Sequence, residues 1–102
     1  MNHSDLTQRV KVSVRTIDPK ARIILFGSRA RKDYIPTSDW DFLILTSRKA
    51  DEYLKKRIRE VLLETELEAE EVISSIIFSQ DKWSDYQVTP LYNNISKDGV
   101  EL

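Results

Sequence analysis

The sequence of 102 residues contains no cysteine, which removes disulfides, thiolate zinc sites and cysteine nucleophiles together. That absence fits a reducing compartment, and a cytoplasmic location is the expectation. Histidine is nearly absent as well. The one present, His3, stands near the terminus with no neighbouring ligand set, so it gives no support for a metal site or a general base. No stretch approaches the roughly 20 apolar residues of a membrane helix, and the segment Met1–Gln8 is polar, so neither membrane insertion nor export is expected. An excess of one charge is missing too. Sixteen basic and seventeen acidic residues leave a net charge of -1, without the broad positive footprint of a protein that tracks a nucleic-acid backbone. Nucleic acid is therefore not expected as a broad-surface partner, whereas a small anionic ligand needs only a local site.

What is present is the composition of a folding chain, 40% hydrophobic and 32% charged, at the usual size of one domain. One domain over residues 1–102 is the expectation, with no repeat and no low-complexity linker. Leu6, Val10, Val14 and Ile17 recur at helical steps behind Ser4 and Asp5, which suit an N-cap and a first-turn acid. Asp18-Pro19 ends that helix, because the residue before proline is pushed out of the helical region. Arg22 to Phe26 is a short unbroken apolar run, suited to a strand covered on both faces and closed by Gly27. Ser28 to Lys32 reads as a helical turn and Asp33 to Ser38 as a loop. The next strand runs from Trp40 to Leu45. Its alternation puts Asp39, Asp41, Leu43 and Leu45 on one face and Trp40, Phe42 and Ile44 on the other.

Between Asp51 and Leu67, the stripe Leu54, Ile58, Val61 and Leu62, extended by Thr65, predicts a helix, supported by opposite charges at Asp51 with Lys55 and Glu52 with Lys56. Val72 to Phe78 reads as a third strand. Thr89-Pro90 opens a last helix that Gly99 terminates. Helices and strands thus alternate, predicting an α+β (mixed α/β) fold with a small mixed sheet flanked by helices. Loop lengths leave open which strands run parallel.

Two features carry chemistry. Gly27-Ser28, at the end of a strand and the start of a helix, can bring free amides close to a phosphate, although most such turns only end a strand. Asp39 and Asp41 lie two apart on one strand face, about 6 to 7 Å between α-carbons. They repel each other unless a hard cation with oxygen preference, such as magnesium, joins them. The alternative is a pair of exposed strand-end acids.

Joined across Arg29 to Ser38, the segment GSRARKDYIPTSDWDFLIL resembles the signature of the minimal nucleotidyltransferases of the polymerase-beta-like superfamily: GS, about ten residues, then DxD. The resemblance implies that Gly27 and Ser28 touch nucleotide phosphates, with Arg29 and Ser38 assisting. It implies that Asp39 and Asp41 are catalytic and ligate Mg2+, and that the substrate is a nucleoside triphosphate such as ATP. It also implies a small helical partner protein, as in toxin-antitoxin pairs, or a homodimer. The family usually adds a third acid on the next long strand. Here Ser74 and Ser75 stand at that place, with Glu71 the closest carboxylate. A catalytically weak or inactive nucleotide-binding module of the same fold is therefore the competing expectation.

The remaining candidates have plainer readings. Arg29 and Arg31 could each fork onto phosphate or form an exposed basic helix face. The series Glu64, Glu66, Glu68, Glu70 and Glu71 reads as a solvated helix end or a partner surface. Trp83, Tyr86 and Tyr92 read as core aromatics pinning the last segment rather than a platform for a base.

Overall fold

The computed structural model describes residues 1–102, with no cis peptide bond. Four strands form one mixed sheet in the order β3-β2-β1-β4. In chain order these are β1 (Arg22–Phe26), β2 (Trp40–Thr46), β3 (Ile73–Ser79) and β4 (Val100–Glu101). β1 pairs antiparallel with β2 and β4, whereas β2 and β3 run parallel. The parallel pair needs a long crossover, and α3 (Glu52–Ala69) supplies it.

The alternation along each strand divides the molecule into two cores. One face carries Ile23, Leu25, Trp40, Phe42, Ile44 and Ile77, and is covered by Leu6, Val10 and Val14 of α1 (His3–Ile17) with Leu54, Ile58 and Leu62 of α3. The opposite face carries Ile24, Leu43 and Leu45, and is covered by Ile95 and Leu91 of α5 (Pro90–Asp98). β1 and β2 are thus apolar on both faces, as their unbroken runs require.

Between β3 and α5 the chain makes a short helix α4 (Gln80–Trp83) and a 3-10 turn (Ser84–Tyr86), neither expected from periodicity. The Trp83 and Tyr92 rings lie tilted with centroids 4.9 Å apart, and Phe78 lies 4.6 Å from Tyr86. Half-buried Trp83 and Tyr92 pin the C-terminal segment to the sheet, as the core reading expects, whereas Tyr86 is exposed and departs from it.

Several local expectations change. The N-cap of α1 is Asn2, whose side chain accepts from Asp5 N–H at 2.8 Å, so Ser4 lies inside the first turn. In α3 the charge pair is Lys55 with Glu52 at 3.9 Å rather than Asp51 with Lys55. Asp51 is instead the N-cap, accepting from Leu54 N–H at 2.8 Å.

Candidate active site

Covering by α5 stops short of one end of the sheet. There Phe26, Asp41 and Ser74 sit side by side on β1, β2 and β3, and all three point to the same face, because cross-strand partners share a side. Phe26 leads into Gly27, which has φ +73 and begins α2 (Gly27–Arg31). Glycine is needed there twice over. The left-handed backbone disfavours any side chain, and a Cβ would collide with the Asp41 carboxylate oxygen Oδ2. The Gly-Ser turn and the β2 carboxylate therefore stand against one another.

Asp41 is half-buried and Asp39, just before β2, is exposed. Burial pushes the Asp41 carboxyl above the ordinary range, and the Asp39 charge pushes it further, while the Arg31 guanidinium partly offsets both. The two acids therefore interact unfavourably when both are ionised. No group of three or more His, Cys, Asp or Glu side chains gathers here or elsewhere as a metal cluster. A pair of repelling carboxylates beside a turn without a side chain is a donor set that suits a hard divalent cation completed by phosphate oxygens and water. The residues present thus fit magnesium.

The two arginines after Ser28 part company. Arg29 is 6% exposed, with its guanidinium 4.3 Å from the Tyr34 ring centroid and 4.4 Å from that of Trp40. It donates to the carbonyls of Ser38 (3.0 Å) and Pro36 (3.2 Å), and Glu71 lies 3.7 Å away. The expectation that Arg29 meets phosphate is corrected: its donors hold the 32–38 loop, and two rings enclose its plane. Glu71 is drawn to that same buried cation, on the Trp40 side of the sheet, and so is not a displaced third acid beside Asp41. Arg31 is exposed, 3.1 Å from Asp33, and its charge is felt at Asp41.

Ser38 closes the loop. Its hydroxyl accepts from Ile35 N–H at 3.0 Å, and its carbonyl receives Arg29. Ser28 is half-buried at the start of α2. Ser74, exposed and directly opposite Asp41, occupies the β3 position nearest the carboxylate pair. Sequence reasoning named that position but could not give its register. The direction of Arg29 was missed, and its only local signal was the aromatic pair Tyr34 and Trp40 flanking the loop.

A small mixed sheet with a glycine-serine turn facing paired strand carboxylates defines the nucleotidyltransferase class of fold. Residues 8–97 match the sequence model of a family described as "Nucleotidyltransferase domain", and the chain belongs to that family. Among solved structures it resembles a crystal structure of a toxin-antitoxin with AMP-PNP, with a TM-score of 0.67 and 17% identity over 98% of this chain and 72% of that one. At that identity the likeness shows the shared fold. No curated protein sequence matches the chain.

Proposed function

We propose that the protein is a magnesium-dependent nucleotidyltransferase that moves a nucleoside monophosphate from a triphosphate, ATP first among candidates, onto a hydroxyl of a partner protein. The observation that carries this reading is the close approach of Gly27 and the Asp41 carboxylate beside Asp39. Asp39 and Asp41 hold the cation. The Gly27-Ser28 turn receives phosphate oxygens through its backbone amides and the Ser28 hydroxyl. Arg31, exposed and felt electrostatically at Asp41, replaces Arg29 as the guanidinium available to the triphosphate. Arg29 positions the loop that delivers Asp39.

Bound magnesium supplies charge neutralisation at the α-phosphate and the leaving pyrophosphate, the logic of in-line displacement. In that displacement the acceptor oxygen bonds to the α-phosphorus, the bond to the β-phosphate oxygen breaks, and pyrophosphate departs. The acceptor proton passes to solvent, because the neighbour of Asp41 on β3 is Ser74, whose hydroxyl is no base at neutral pH. The similarity to a toxin-antitoxin structure supports a protein partner of a paired system as the acceptor.

The presence of Ser74 where a third acid would stand also supports a second reading, a nucleotide-binding module with weak or no transfer that acts through its partner. Transfer of label from α-labelled ATP to candidate acceptors, with and without magnesium, separates the two. Label transfer abolished by Asp39→Ala and Asp41→Ala is expected of the enzyme. Cation-dependent ATP uptake without transfer is expected of the module, and no uptake at all defeats both.

A further inference from the structure

β3 is the outer strand of the sheet, and its free edge is open. Trp40 N–H donates to Val72 C=O at 2.9 Å, with Trp40 opposite Ile73 in the parallel ladder. Backbone groups alternate in such a ladder, so Ser74 and Ile76 turn theirs toward β2, whereas Ile73, Ser75 and Ile77 turn theirs outward. The Glu66 carboxylate accepts from Ile73 N–H at 2.7 Å. Nothing in the chain meets the outward amides and carbonyls of Ser75 and Ile77. The strand reads Ile-Ser-Ser-Ile-Ile-Phe-Ser, without the charge or proline that usually blunts an edge.

Beside this edge lies α3, whose charges are ordered against its own dipole. After Asp51 and Glu52 at its start, the cations Lys55, Lys56, Arg57 and Arg59 cluster in the N-terminal half, and Glu60, Glu64, Glu66 and Glu68 come after them, with Glu70 and Glu71 beyond the helix end. Cations suit a helix C-terminus and anions its N-terminus, so this order is unfavourable within one chain. The chain relieves only part of it, through Glu52 with Lys55 at 3.9 Å, Glu66 with Ile73 N–H at 2.7 Å and Glu71 with Arg29 at 3.7 Å. Glu68 meets Arg9 at 2.7 Å on an exposed surface, while Arg59, Glu64 and Glu70 are exposed and form no ion pair.

We propose that two copies of this chain pair through the β3 edges about a two-fold axis, with their α3 helices side by side and antiparallel. Reversal lays the basic half of each helix along the acidic half of the other. The strands agree with the same axis. Centred on Ile76, it sets Ser75 of one copy opposite Ile77 of the second, both with outward backbone groups, and Ile76 beside Ile76. A two-fold axis brings identical residues together, so an uncharged strand avoids like-charge contacts there. At the far end of β3 a cavity of about 280 Å³ is lined by three lysines, Lys49, Lys55 and Lys82, against one acid, Asp85. The axis places Glu70 of the second copy beside those lysines, while Glu71 stays with Arg29 of its own chain.

Sedimentation equilibrium of the full chain tests this, since the assembly must depend on protomer concentration. At about 100 µM and low salt, the expected mass is twice 11.9 kDa, falling as salt screens the helix contacts. Glu70→Lys and Lys82→Glu are both at exposed positions away from the cores. Each juxtaposes like charges twice across the axis and raises the dissociation constant roughly tenfold or more, with the circular dichroism spectrum unchanged. Mixing the two single variants pairs every substituted residue with an opposite charge and restores a heterodimer. A monomeric wild-type chain, indifference of the dimer to both substitutions, or no recovery on mixing overturns the proposal.

Discussion

The Asp41 carboxylate occupies the space that a side chain on Gly27 would fill. The end of β1 and the start of β2 can therefore close on each other only while position 27 is glycine. Gly27→Ala is expected to cost about 1 to 2 kcal/mol from the positive φ alone and to displace the carboxylate. Loss of magnesium-dependent ATP binding by calorimetry is the measurement. Native binding by a well-folded Gly27→Ala protein would remove the cradle.

Asp41 and Asp39 repel, and burial adds to the strain on Asp41. Asp41→Asn is expected to stabilise the cation-free protein, by up to about 1 kcal/mol for relief of a like-charge neighbour, while abolishing cation-dependent ATP binding. Urea unfolding read beside calorimetry checks both directions at once. A less stable variant would show that Asp41 serves the fold rather than the ligand.

Ser74 lies opposite Asp41 and is exposed, so an acid can be introduced there without disturbing a core. Ser74→Asp is expected to supply the missing base and raise label transfer, within the roughly 10²- to 10⁴-fold that such a group contributes. Unchanged transfer in a variant that still binds ATP would place the proton's path elsewhere.

Arg29 holds the loop before Asp39 with both carbonyls and both rings. Arg29→Met removes the donors to the Ser38 and Pro36 carbonyls and is expected to cost about 1 to 3 kcal/mol. Arg29→Lys should recover only part of this, because an ammonium cannot reproduce the planar fork between Tyr34 and Trp40. Thermal unfolding of the two variants, with amide exchange across residues 32–38, is the readout. Equal stability of the lysine variant and the wild type would contradict the fork.

Asp18 provides the pH dependence. Its burial raises the carboxyl, but hydrogen bonds from the Ser47 hydroxyl and amide and from the Lys20 amide, with the Arg48 charge, outweigh this and hold it below the ordinary range. A lowered folded-state pKa means that its stabilisation is complete above the unfolded value, about 3.9, and is lost as pH falls through the folded one. Urea midpoints should therefore fall more steeply on acidification in the wild type than in Asp18→Asn. Parallel profiles would assign acid unfolding to other groups.

The parts legible from sequence are those set by near neighbours. The run Arg22–Phe26 and the alternation at Asp39 and Asp41 record burial directly, and Thr89-Pro90 carries its own cap chemistry. Ser4 and Asn2 are both competent caps, and the geometry that selects Asn2 is a single hydrogen bond to Asp5. β4 is two residues long, too short for any periodicity. Arg29 and Arg31 are alike in sequence. Only the folding of Tyr34 and Trp40 around the first decides that one is enclosed and the other faces the acids. The pairing of Asp41 with Ser74 likewise depends on a crossover whose register no local pattern encodes.

The chain's last residues fasten beside the strand that delivers the glycine turn: Leu102 N–H donates to Ile23 C=O at 2.9 Å, and Arg22 grips Glu101. β1 is thereby an inner strand on the strength of a clasp only a few residues long. Substitutions that break the Arg22–Glu101 grip, or removal of residues 100–102, would unfasten that clasp. The loosening would reach phosphate binding without touching a single residue of the cleft.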